Sequence, residues 1–294
     1  MDTIQRMVPR PPPPAGATRP PAYSATVTIN PFNLPTDHDC YYLRLTEDTY
    51  QPTLHVQGAW LDHEQHMAPV GGLITHAVET FDPRPELQLA RITFEILGQM
   101  PALPTRVEVE VLRPGRTIQL LGATASIDGR VAVRARAWLL ATGDTAAVAG
   151  HFFEPLPDPG STPRWEMTEV WGGGYIDGLE VRRAGPARPG RGVAWLRSPY
   201  PLIQDEPSPA TAHFLRLVDT ANGIATRVSP REWMFPNTDL SVHLFRTPRG
   251  PWVGLDTSVT FGPTGVGLTS SVLHDVDGPV GRAEQILTVR RQPS

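Results

Sequence analysis

Few residues in this chain have the type and setting to do chemistry, and one carboxylate leads them. Asp219 lies within residues 210–228, ATAHFLRLVDTANGIATRV. There Phe214, Leu217, Val218, Ala221, Ile224, Ala225 and Val228 recur at i, i+3, i+4 and i+7. The spacing predicts a helix with one apolar stripe, opened by Ser208 and Pro209 as cap and first-turn pair. Asn222-Gly223 offers an end to it, yet the stripe runs past them. At about 100° per residue, Asp219 falls roughly opposite the middle of the stripe. From the helix alone this is a solvated acid on an exposed face. Turned toward a pocket, it is a general base.

Other candidates are weaker or self-limiting. Gly71-Gly72 opens a predicted helix over 71–79, where two glycines cost helix stability. Either the helix packs tightly on a neighbour there, or the two N–H groups at its start are free to bind an oxyanion. His63-Glu64-Gln65-His66 places one residue, not two, between the acid and the second imidazole. It therefore lacks the i, i+4 pair of a zinc protease and reads as loop histidines. Gln285 shares a predicted strand face with Ala283, Leu287 and Val289, so an amide points toward an apolar side and needs partners.

Composition removes whole classes of chemistry. All 26 permanently basic side chains are arginine; there is no lysine. Schiff-base chemistry, a Walker phosphate loop and a Ser-Lys dyad are thereby excluded. Cys40 is the only cysteine, which rules out an internal disulfide and any multi-cysteine zinc site. A net charge of −4 gives no electrostatic argument for nucleic acid. No apolar run is long enough to span a membrane, and no secretory h-region opens the chain, so the expected compartment is the cytoplasm.

The elements that must hold these residues come in two similar sets. Residues 1–37 are proline-rich and read as a poorly ordered arm. Residues 38–145 then give short strands at 42–45 and 53–56, the helix, and alternating strands through Ile92, Phe94 and Ile96 and through Val107, Val109 and Val111. A hairpin at Asp128-Gly129 and a strand over 131–140 close the set. Residues 146–170 are a proline-rich linker, and 171–294 repeat the order: strands at 179–183 and 193–197, the Asp219 helix, then four strands with a hairpin at Asp277-Gly278. With Phe94 set against Val242, the two hairpins fall 34 and 35 residues later, an internal duplication of an α+β unit.

In order and spacing, the stretches Gly71-Gly72, Trp195-Leu196-Arg197, Leu217-Val218-Asp219, 237–243 (NTDLSVH) and Ala283-Glu284-Gln285 followed by Val289-Arg290 resemble the acyl-CoA thioesterase II type, within the thioesterase-like double-hotdog family. The resemblance covers roughly residues 41–290. It implies a tandem hotdog, two long helices each wrapped by an antiparallel sheet. It also implies hydrolysis of an acyl-CoA to free acid and CoA, with Asp219, Thr238 and Gln285 jointly holding the attacking water. Gly71 and Gly72 would be the oxyanion donors. No metal or redox cofactor is implied, CoA entering as part of the substrate, and a homodimer or larger homo-oligomer is expected. Arg231, Arg246 and Arg249 are candidate partners for CoA phosphates. Two other readings use the same fold: a non-catalytic acyl-binding or assembly module, and a hydratase pairing an Asp with a histidine such as His243.

Overall fold

The computed structural model describes residues 34–293, so the expected proline-rich arm lies almost wholly outside the described residues. Twelve strands form one continuous antiparallel sheet. The first half contributes β1 (Tyr42–Arg44), β2 (Thr49–Pro52), β3 (Leu87–Ile96), β4 (Thr105–Arg113), β5 (Ile118–Ile127) and β6 (Arg130–Ala141). The second half contributes β7 (Glu180–Arg183), β8 (Arg191–Arg197), β10 (Asp239–Leu244), β11 (Val253–Phe261), β12 (Val266–Asp275) and β13 (Gly278–Thr288). A separate two-stranded ribbon pairs β9 (Trp233–Met234) with β14 (Arg290–Arg291).

The sheet order is β1-β2-β4-β5-β6-β3-β10-β13-β12-β11-β8-β7. It reads the same from either end: β3 and β10 are matched at the seam, then β6 with β13, β5 with β12 and β4 with β11. The seam pairs Phe94 with Leu240 and Ile92 with Val242. Each half thus covers the edge strand that the other would leave open. Inside the curl lie α1 (Met67–Phe81), packed on β4 and β5, and a second helical segment packed on β8, β11 and β12. This is the tandem hotdog. The hairpin at Asp128-Gly129 takes φ of 49° and 71°, both left-handed, as a two-residue type I′ turn requires.

Four expectations are corrected. Residues 54–56 form a 3₁₀ turn and not a strand, because Thr53 Oγ1 accepts the His55 N–H and its hydroxyl donates to Cys40 O. Helix α1 begins four residues before Gly71, at Met67, with His66 as its cap. The long helix over 210–228 is broken into α3 (Ala210–Leu215), a 3₁₀ turn at Val218–Thr220 and α4 (Ala221–Ile224), α2 being the short Gly174–Asp177 turn. The break falls at Leu217, whose φ of −119° lies far from the regular α-helical value of about −63°. Nor does Ser208 cap α3: its hydroxyl is buried without a partner, and the residue flanking the helix is Pro209.

Candidate active site

Asp219 lies inward because residues 214–225 are buried throughout, α3 and the 3₁₀ turn being packed against α1 of the first half. Asp219 is 4% exposed and lines a cavity of about 390 Å³. The solvated-acid reading is therefore corrected by the packing of the first half on that face. Its Oδ1 accepts two amide N–H bonds, from Asn237 Nδ2 at 2.7 Å and Gln285 Nε2 at 2.8 Å. Among the described residues Oδ2 accepts neither bond, and is the oxygen left to the cavity. Burial pushes the carboxyl pKa up to about 7, against the opposing pull of the two amides.

Gln285 arrives as its strand alternation foretells. It is 1% exposed on β13, between Ala283 and Leu287, and its amide finds the acid rather than the backbone. Thr238 does not arrive. It is exposed at a bend before β10, outside the cavity lining. Its backbone is taken on both sides, its N–H donating to Ile286 O and its carbonyl accepting from Ile96 N–H, each at 2.9 Å. That double tie turns its side chain out and brings the preceding residue, Asn237, onto Asp219. Asn237 also donates to Asp239 O at 3.0 Å, which fixes its amide plane. The family resemblance pointed to Thr238; nothing local in the sequence announces the bend that brings Asn237 in its place.

Gly71 and Gly72 are not at the helix start. As the fifth and sixth residues of α1 they lie past its free N–H groups. Neither lines the cavity. Of their two readings, tight packing holds for Gly72: a Cβ there would meet Arg216 Cβ at 2.5 Å.

The helix end that does reach the cavity is that of His66 and Met67. Further walls come from Trp60, Ile96 and Met100 of the first half and from Asn222, Met234 and Asn237 of the second. Trp60, Trp171 and Phe235 meet edge to face, with ring centroids 4.8–5.8 Å apart, a stiff apolar side. Glu64 also lines the cavity, its carboxyl held above the usual range by burial. Arg290 is the arginine in the lining. Arg246 is instead engaged by Asp275 in a two-bond ion pair at 2.5 and 2.6 Å, and with Arg249 borders a different groove. Arg231 borders a third. His243 is exposed on β10, opposite Arg91 and Arg282, and stands apart from Asp219. Cys40 is buried with its thiol pushed up to about 11, an inert state.

No curated protein sequence matches the chain. Among solved structures, a putative thioesterase from Novosphingobium aromaticivorans is 20% identical, covers 84% of this chain and 98% of its own, and superposes with a TM-score of 0.64. A hot dog protein of unknown function from Alicyclobacillus acidocaldarius is 15% identical, over 87% and 98%, with a TM-score of 0.69. An acyl-CoA thioesterase II from Mycobacterium marinum is 20% identical, over 85% and 96%, with a TM-score of 0.61. These likenesses show the fold. Among the described residues, no helix is long and apolar enough to cross a membrane. Family models give more than the fold: that of the acyl-CoA thioesterase N-terminal domain matches residues 56–140, and that of the C-terminal domain residues 153–289. With both halves matched in order, over most of its length, the chain belongs to the acyl-CoA thioesterase family and is a thioester hydrolase.

Proposed function

We propose that the substrate is an acyl-CoA and that Asp219 activates the attacking water directly, without a covalent acyl-enzyme. The observation that carries this is the arrangement on Asp219: one oxygen held by the Asn237 and Gln285 amides, the other left to the cavity. A carboxyl with a pKa of about 7 is half ionised at neutral pH, where a general base works best.

In the step itself, Asp219 Oδ2 takes a proton from water as the water oxygen bonds to the thioester carbonyl carbon. The tetrahedral oxyanion then collapses, the C–S bond breaks, and the CoA sulfur takes back the proton held by Asp219. A carboxylic acid and a thiol leave. The amides keep the carboxylate from rotating and need not move during the reaction, which is their catalytic worth. The mechanism calls for no metal or redox cofactor. Arg290, exposed at the cavity rim, is the residue placed to meet a CoA phosphate, in place of Arg231, Arg246 and Arg249. The same reading has the chain pair with a second copy through an outer sheet face, where Val266, Leu268 and Ile286 stand exposed.

A non-catalytic acyl-binding module would keep its acid out of reach of the ligand, whereas Asp219 lines the cavity. The hydratase reading loses His243 but finds another imidazole in the lining, His66. That imidazole is unsuited to be the base: its Nδ1 already accepts the Ala68 N–H, so in the neutral ring Nε2 carries the proton.

The test is free-thiol release from acyl-CoAs of graded chain length. Asp219→Asn keeps an oxygen for both amides and should lower kcat by ~10² or more, the typical weight of general base catalysis. Full turnover in Asp219→Asn would remove the acid from the mechanism. Turnover of 2-enoyl-CoA to the 3-hydroxy product without thiol release would favour the hydratase.

A further inference from the structure

With Gly71 and Gly72 inside α1, the reading above lacks a group to receive the carbonyl oxygen. We infer that His66 is that group, its Nε2–H donating to the thioester carbonyl and, more strongly, to the oxyanion that replaces it. This inference rests on the hydrolase reading and adds a catalytic residue to it.

Three features of the structure lead there. First, the proton is placed by the fold. His66 caps α1, and its Nδ1 accepts the Ala68 N–H at 3.1 Å, a bond that an imidazolium could not accept. The proton of the neutral ring is left on Nε2. Second, the ring is fixed relative to the acid. It stacks on the fully buried Tyr175, with centroids 4.2 Å apart and 28° between planes. The Tyr175 hydroxyl shares a 2.7 Å bond with Thr220 Oγ1, the residue after Asp219. Imidazole, phenol and acid-bearing turn are thus one connected unit. Third, His66 and Asp219 line the same cavity from opposite halves of the chain. Among the described residues Nε2 is neither hydrogen bonded nor sealed away from the cavity. A base from one side and a donor from the other leave room for a carbonyl between them.

Charge state completes the case. Burial lowers the His66 pKa to about 3, so the ring stays neutral through the working range of the acid. A neutral N–H costs no buried charge when the site is empty, yet strengthens as negative charge develops on the substrate oxygen.

The experiment compares two unreactive probes, one with a carbonyl and one without. A 2-oxoalkyl dethia-CoA carries the carbonyl without the labile sulfur; an alkyl-CoA thioether of equal length lacks it. The native protein should bind the ketone more tightly than the thioether. His66→Ala should weaken the ketone roughly tenfold and leave the thioether unchanged, one hydrogen bond's worth. His66→Gln, which returns an N–H at a similar reach, should restore part of that preference. In turnover, His66→Ala should lower kcat ~10²–10³-fold with little change in KM, as expected for a lost oxyanion donor. Unfolding midpoints of both variants, set beside the native value, separate lost capping from lost recognition.

An equal loss for both probes would reduce His66 to a cap and overturn the inference. So would an unchanged ketone preference in His66→Ala. Asp219→Asn keeps the two questions apart: if it abolishes turnover while His66→Ala leaves the ketone preference intact, the hydrolase mechanism stands and His66 is excluded. If Asp219→Asn turns over normally and the ketone preference still depends on His66, the base assignment has failed and the carbonyl site stands.

Discussion

Gly72 lies against Arg216 so closely that a methyl group would not fit between them. A Cβ built on Gly72 meets Arg216 Cβ at 2.5 Å and its Cα at 3.0 Å. The contact joins α1 to the last turn before the helix break, and so sets how far the first half stands from the acid-bearing turn of the second. Arg216 cannot yield. Its side chain is fully buried, bonded to Tyr200 O, to Ser198 O at 3.3 Å and to His213 Nε2 at 2.6 Å.

Gly72→Ala should therefore destabilise the protein. Overpacking typically costs about 1–3 kcal/mol, against a gain of about 1 kcal/mol in helix propensity. The neighbouring glycine gives the opposite sign. A Cβ on Gly71 makes only ordinary contacts, at 3.6 Å to Met67 Cε and 3.8 Å to Phe94 Cζ. Gly71→Ala should gain up to about 1 kcal/mol. Denaturant midpoints of the two variants check both signs at once.

The pH dependence follows from Asp219. Its pKa of about 7 places the loss of the base below neutrality, so kcat/KM should fall tenfold per pH unit below about 7 and level off above it. Glu64 is another carboxyl in the cavity, also raised by burial, and Asp239 raises Asp219 further. Glu64→Gln should leave the limb in place. Its disappearance in that variant would assign the ionisation to Glu64.

Stability carries the same ionisation with a defined sign. The folded-state pKa of Asp219 is raised above its ordinary value of 3.8, so the folded protein favours the protonated acid. That contribution is full below about pH 4 and is lost as the pH rises to about 7. Asp219→Asn removes it. The variant should gain on the native protein between pH 4 and 8, measured as the difference in unfolding free energy.

Asn237 and Thr238 are adjacent and should behave oppositely. Asn237→Ala removes one of the two donors on Asp219 and should lower kcat tenfold or more, with the acid's pKa rising further. Thr238→Ala changes an exposed side chain outside the cavity and should leave kcat within about twofold. Parallel thiol-release assays decide; a large loss in Thr238→Ala alone would restore the threonine to the site.

Arg290→Ala should raise KM for acyl-CoA severalfold and leave kcat unchanged, since a rim cation acts on binding alone. The effect should shrink with added salt. It should vanish with acyl-N-acetylcysteamine thioesters, which carry no phosphate.

What the sequence disclosed divides along physical lines. The strands through Ile92 and Phe94, Leu240 and Val242, and the Asp128-Gly129 turn were legible because a period of two and an obligatory left-handed φ leave marks in residue type. Gln285 was legible for the same reason, as the amide on an apolar strand face. Asp219 was visible as a candidate, but its burial was not: the cover comes from α1 of the other half, and the break at Leu217, a residue with good helix propensity, is tertiary packing overriding that propensity. Asn237 was hidden by a bend that breaks the alternation, fixed by backbone bonds to Ile286 and Ile96 that arrive from distant strands. His66 was hidden by the placement of the helix start at the glycines. The early start at Met67 is tolerated because Pro69 falls in the first turn, where a missing N–H costs nothing.

The seam between β3 and β10 has a consequence for what the two halves are to each other. They are similar in order, yet the cavity takes His66 and the Trp60 wall from the first, and Asp219, with the Asn237 and Gln285 amides that hold it, from the second. The copy with the unbroken helix brings His66 to the cavity; the copy whose helix is broken brings Asp219. The protein is in effect an obligate heterodimer threaded on one backbone, and a covalent tether guarantees that the unlike partners meet in equal number. Expressed apart, each half would expose its seam strand and carry an incomplete reaction centre; expressed together, they would have to find each other rather than a second copy of themselves.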